Sequence, residues 1–153
     1  GYMVHDNLLD LNLLRSPTNP DPDADKGSHS FTYSLFPHKD SLIHSDVINE
    51  ASCLNQEPIL FDGVVSGKVK IPVKLNGQGL ELSVLKKAEK EDAWIIRIIE
   101  THGRVSSGSI ELSGEISECD LMEWKELSKR EMVSRSFKIK LNPFEIKTFK
   151  LLY

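Results

Sequence analysis

The stretch AWIIRII, residues 93–99, is apolar at every position except Arg97. A strand wetted on one face alternates apolar and polar side chains, so a run apolar on both sides predicts a central strand covered on both faces. Upstream, Leu80, Leu82 and Val84 share the two-residue period. Before them Val69, Ile71, Val73 and Leu75 alternate with Lys68, Lys70 and Lys74. Asn76 and Gly77 tolerate the positive φ that a hairpin turn requires, which predicts a hairpin joining those two runs. Downstream, further strands are expected over residues 109–112, 116–124, 136–141 and 144–151. Strands at this spacing, with Gly and Asn between them, predict a mainly β fold, an antiparallel β-sandwich.

The first forty residues read differently. Leu9, Leu11 and Leu13 alternate with Asp10 and Asn12, the pattern of a half-buried strand. Residues 16–26 carry Pro17, Pro20 and Pro22 with Asp21, Asp23 and Asp25, a composition that neither a helix nor a central strand tolerates, so a loop is expected. A second strand is expected where Phe31, Tyr33 and Leu35 share one face, ending at Pro37. One helix is expected near residues 41–54, because Ile43, Val47, Ala51 and Leu54 recur at helical spacing behind Asp40 or Ser41 as N-cap. Pro58 forbids anything longer.

A chain of 153 residues, 39% of them hydrophobic, is expected to form a single domain with its own core. Its net charge of −4 excludes nucleic acid and anionic membrane surfaces as expected partners, since both demand a basic face. The charge is uneven. Residues 1–62 hold 10 acidic and 3 basic side chains and the remainder 13 and 16, which fits either docking of two halves or two solvated faces. Cys53 and Cys119 make no disulfide framework and no N-x-S/T sequon occurs, so a reducing, cytoplasmic location is expected. No apolar run approaches the roughly 20 residues of a membrane helix. The start at Gly1 reads as a cut made within a longer protein.

No constellation promises catalysis. Asp21, Asp23 and Asp25 sit at alternate positions like the first ligands of an EF-hand calcium loop, but Lys26 and Thr32 occupy the places of that loop's glycine and bidentate glutamate. A polar, proline-set loop is therefore expected there. The histidines at 5, 29, 38, 44 and 102 lack zinc-ligand spacing, so no metal site is expected within the chain, and local hydrogen bonds are expected for His29 and His38. There is no nucleophile elbow, phosphate loop or evident carboxylate pair. Of the two indoles, Trp94 belongs to the buried run, and Trp124, between Glu123 and Lys125, is the candidate for an exposed ring.

The segments LLRSPTNPDPDAD (13–25), GSHSFTYSLFPH (27–38), VLKKAE (84–89), WIIRIIETHGR (94–104) and LNPFEIKTFKL (141–151) together resemble the C-terminal domain of glycoside hydrolase family 38, the α-mannosidases, in its bacterial and cytosolic branch. Ile99 stands where that family usually has an aromatic residue, which is a departure from its pattern. The resemblance implies a terminal β-sandwich accessory domain of a larger zinc-dependent, retaining enzyme that hydrolyses terminal α-mannosides. It places the zinc ligands and nucleophile in a separate N-terminal catalytic domain, so no catalytic residue and no cofactor are expected in this chain. The implied partners are that catalytic domain, a mannose-containing oligosaccharide and homo-oligomer contacts. Because the family's C-terminal layers fold back toward the sugar cleft, Arg97, Glu100, His102 and Arg104 are the substrate-proximal candidates: polar groups on or just after an apolar strand must face water, a partner or a ligand. Pairing with neighbouring strands is the other reading of the same residues. The alternative function is a stand-alone carbohydrate-binding or structural docking β-sandwich module, for which this scaffold serves equally well.

Overall fold

The computed structural model describes residues 1–56, 58–60, 62–63 and 73–152, which fall into two compact units, Gly1–Pro37 and His38–Tyr153. The larger unit holds the core. Its secondary structure begins with one 3₁₀ turn at Leu42–His44 and helix α1 at Val47–Asn55. The helix expected as one piece from residue 41 is thus split. Asp46 caps α1 with a backbone near the bridge region and no side-chain bond, and no residue of either helical piece is buried.

Among the described residues the strands of this unit are β3 (Lys74–Asn76), β4 (Leu80–Lys87), β5 (Trp94–Glu100), β6 (Ser106–Glu111), β7 (Gly114–Cys119), β8 (Glu131–Val133), β9 (Ser136–Leu141) and β10 (Ile146–Leu152). All pairings are antiparallel, in a five-stranded sheet ordered β4-β5-β10-β7-β8 and a three-stranded sheet ordered β3-β6-β9. The β-sandwich read from the sequence is this pair of sheets. Ile96, Ile98, Ile116, Phe149 and Leu151 of the larger sheet meet Ile110, Ile139 and Leu141 of the smaller. Each fully buried side chain of this size contributes about 1.5–3 kcal/mol, against about 0–1 for an exposed ion pair, so this interior holds the fold.

Strand β5 is covered on both faces, as the run at 93–99 predicts: Ile96 and Ile98 face the sandwich interior, and Ile95, on the opposite face, is equally inaccessible at 0%. That outer face is roofed by residues 88–93 and 120–130. Beneath them lie Thr148, Ser117 and Cys119, with Lys150, 4% exposed, bonded to Glu91. Burial pushes the Cys119 thiol up to about 11.

Three expectations are corrected. Asn76–Gly77 does not close a hairpin: β3 pairs with β6 and β4 with β5, so the chain crosses from one sheet to the other at residues 77–79. Lys74 and Asn76 both reach Glu111 of β6, the Asn76 bond at 2.8 Å, and so tie β3 to its distant partner. Val84 does not continue the inward row of Leu80 and Leu82, because a bulge between Leu82 and Val84 turns it to the outer face and brings Leu85 inward. The strand expected at Phe31, Tyr33 and Leu35 is absent. Residues 30–36 are exposed and pair with no strand among the described residues, and alternation without a ladder partner does not make a strand. The expected strand over Lys68–Val73 lies outside the described residues except for Val73, which is buried.

Gly1–Pro37, taken by itself, is a hairpin of β1 (Tyr2–His5) and β2 (Leu8–Leu11) followed by irregular chain. Tyr2 pairs with Leu11 and Val4 with Leu9, placing four apolar side chains on one face. All four are exposed, so the strand read at Leu9 and Leu11 exists without the burial expected of it. In the Pro/Asp loop the carboxylates of Asp21 and Asp25 accept from the backbone N–H groups of Asp23 and Ser16, at 2.9 and 3.0 Å. His29 and His38 bond the carbonyls of Asp25 and Asp40, the local hydrogen bonds expected of them.

Candidate functional site

The four residues singled out on and after β5 separate by strand parity. Arg97 points to the outer face and Glu100 to the inner, because three positions along a strand reverse the side. The Arg97 guanidinium donates to Thr148 Oγ1 at 3.1 Å, to the Leu121 carbonyl at 3.0 Å and to Glu123 Oε1 at 3.3 Å. Lys86 meets the same carboxylate at 3.0 Å. These contacts draw the Glu123 side chain inward, with its backbone left-handed at φ 64°, while Trp124 stands 66% exposed with Lys90 Nζ 4.3 Å from its ring centroid. Trp94, by contrast, packs against the core.

Glu100 closes β5 and is fully buried. Its carboxylate accepts from the backbone N–H groups of His102, Gly103, Arg104 and Phe144 at 2.8–3.3 Å and from the Ser106 hydroxyl at 2.9 Å. Three consecutive amides converging on one anion form a nest, and Gly103 supplies the left-handed residue, at φ 68°, that the turn needs. Burial pushes the Glu100 carboxyl up, but the donors, led by Phe144 N–H, outweigh it and hold it below the usual carboxylate range. Glu100 therefore fixes the turn at residues 101–104 from inside the fold.

That turn forms one wall of a cleft of about 320 Å³. Thr101 and His102 face it from the turn, Gln78 and Glu81 from the crossover into β4, and Asp46 and Asn49 from α1. Thr101 N–H donates to the Gly79 carbonyl at 2.9 Å, and Ser52 Oγ donates to Glu81 Oε1 at 2.9 Å, joining α1 to β4. A Cβ at Gly79 would fall 2.9 Å from His102 Nδ1, so only glycine lets the imidazole lie there. Arg104 reaches Gln78 Oε1 at 3.4 Å. The structure thus gathers His102 and Arg104 near one cleft, keeps Glu100 beneath it and sends Arg97 to the other side of the sheet. The helix residues Asp46 and Asn49 were not among the candidates. Their polarity on an amphipathic segment is that of any solvated face, and only the tertiary arrangement brings them opposite His102.

Among the described residues no three His, Cys, Asp or Glu side chains come together as metal ligands. The zinc implied by the resemblance therefore finds no fitting donor set here, and no chemical step of this chain is routed through it. No helix among the described residues is long and apolar enough to cross a membrane.

The amino-acid sequence matches known proteins. Residues 79–149 match the family described as glycosyl hydrolases family 38 C-terminal beta sandwich domain. Alpha-mannosidase G of Dictyostelium discoideum is 33% identical over 99% of this chain, and Alpha-mannosidase 2C1 of Mus musculus 30% identical over 99%. Alpha-mannosidase of Saccharomyces cerevisiae is 27% identical over 100%. The chain spans only 15–16% of the length of these relatives. With two antiparallel sheets enclosing one core, and with matches that run its whole length, the chain belongs to glycoside hydrolase family 38, as a C-terminal β-sandwich domain of that family.

Proposed function

We propose that the chain serves as the accessory domain of a zinc-dependent, retaining α-mannosidase that hydrolyses terminal α-mannosides in a reducing, cytoplasmic setting. Its role there is to brace the catalytic domain and to wall part of the sugar cleft with the turn after β5. The observation that carries this reading is the alignment of nearly the whole chain with proteins named alpha-mannosidases. The clamped turn at 101–104 supports the walling role. A retaining glycosidase acts on a ring held between two carboxylates about 5–5.5 Å apart, and a rigid wall that positions the ring favours the productive geometry. In this reading His102 and Arg104 touch sugar, Glu100 positions them from below, and Arg97 holds the outer loop. Zinc and the nucleophile belong to the remainder of the larger protein.

The test compares the chain alone with the longer polypeptide that carries it, using an aryl α-mannoside. The chain alone is expected to give no turnover. In the longer protein His102→Ala is expected to raise KM about tenfold while lowering kcat less, the signature of lost binding rather than lost chemistry. Turnover by the chain alone, or no change in either constant, would refute the assignment. A second reading, a carbohydrate-binding module, is favoured by one observation, the exposed Trp124 ring stacked on Lys90. It predicts glycan binding that Trp124→Ala abolishes.

A further inference from the structure

We propose that the cleft between α1 and the turns at 77–81 and 101–102 binds a single uncharged sugar ring. The proposal rests on the α-mannosidase reading for the choice of mannose, but the site is argued from its own walls.

A volume of about 320 Å³ lies at the lower end of small-molecule sites, about 300–1,000 Å³, and suits one ring rather than a chain of them. Several polar groups of the wall hold no partner among the described residues. The side chains of Asp46, Asn49 and Thr101 make no hydrogen bond among the described residues, although Asp46 stands at the N-cap where such a bond is usual. His102 Nδ1 is buried and equally unpartnered among those residues. That nitrogen is sealed against Gly79 and takes no ligand, so the groups open to the cleft are the side chains of Asp46, Asn49 and Thr101. A carboxylate, an amide and a hydroxyl around one space give the mixture of donors and acceptors that vicinal hydroxyls require. Ile43, Ile48 and Leu80 supply apolar surface for the ring's C–H face.

Charge narrows the ligand class. The described lining contains two carboxylates, Asp46 and Glu81, and neither lysine nor arginine, and the nearby Arg104 is directed to Gln78. Such a wall repels phosphate and carboxylate groups, so a neutral sugar fits and a sugar phosphate does not. The wall is also preformed. Glu100 fixes one turn, the Thr101–Gly79 bond joins it to the next, and Ser52–Glu81 ties in the helix, so little ordering accompanies binding.

The test is titration of the isotopically labelled chain with methyl α-mannoside, followed by NMR, beside methyl α-glucoside and mannose 6-phosphate. The expected result is saturable shifts confined to residues 43–49, 77–81 and 101–102, with mannose 6-phosphate at least about tenfold weaker. Asn49→Ala, on an exposed helix position, and Thr101→Val, of the same shape, are each expected to weaken binding about fivefold without loss of the folded spectrum. Three results overturn the proposal: no saturable shift, shifts insensitive to both variants, or shifts centred on Trp124. A chain that binds no sugar while the longer protein remains an active mannosidase sinks the cleft and leaves the family role standing; a binding chain in an inactive parent does the reverse.

Discussion

A carboxylate sealed from water needs donors in place of its hydration, and Glu100 has five of them. Replacing it with Gln keeps the volume but removes the charge and turns one acceptor oxygen into a donor facing N–H groups. The expected cost is about 2–4 kcal/mol, measured as the shift in urea unfolding of Glu100→Gln against wild type. The pH dependence has a defined sign. A carboxyl held below its ordinary value of 4.5 in the folded state contributes stability that is complete above that value and is lost as pH falls through the lower, folded one. Wild-type stability should therefore decline below pH 4.5 more steeply than that of Glu100→Gln, and parallel declines would show that Glu100 is not ionised in the fold. The sequence marks Glu100 and Arg97 equally, as polar groups in an apolar run. Their spacing of three places them on opposite faces, but nothing local shows that the amide of Phe144, 44 residues on, completes the Glu100 nest.

The elements obey alternation where a ladder partner exists and depart from it where partners compete. Strands β5, β9 and β10 lie close to the runs that the sequence marks, because their inward rows are unbroken. Strand β8 was not foreseen, since three residues carry too little period to be seen. The crossover at 77–79 was hidden by its resemblance to a hairpin turn: an Asn-Gly pair fixes a reversal of direction but not the sheet in which the next strand pairs. What decides it is close approach. At Gly108 of β6 an added Cβ would fall 2.2 Å from the Asn76 carbonyl oxygen and 2.6 Å from a Leu80 methyl, so β3, β6 and the start of β4 meet there with no room for a side chain. Gly108→Ala is expected to cost about 2–4 kcal/mol, because a rigid backbone atom rather than a flexible side chain must move. Gly27→Ala, with nothing within 4 Å, meets no such contact; its φ of 137° strains an alanine, but that strain falls on an exposed residue of Gly1–Pro37 and not on the sandwich. Unfolding curves for the two variants should separate clearly, and equal losses would mean that the β3–β6 contact does not constrain the fold.

Across the whole chain the distribution of burial sets what each unit contributes. Every buried hydrophobic residue among those described lies between Val73 and Leu151, whereas in Gly1–Pro37 all residues but Ala24 are at least largely exposed. A two-stranded hairpin with its apolar face in water is marginal by itself, while two sheets enclosing a shared interior are not. The larger unit should therefore fold without the first 37 residues. Denaturant sensitivity scales with the surface that unfolding exposes, and a segment already exposed adds little to it. Although residues 1–37 make up about a quarter of the chain, deleting them should lower the urea m-value by much less, about a tenth or under, and leave a single cooperative transition. Exchange of amide hydrogens in the intact chain should agree, with β5 and β10 protected longest and β1 and β2 earliest to exchange. A truncated chain that loses its cooperative transition would show that the sandwich interior depends on those residues and that the burial counted from Val73 onward is not sufficient for folding.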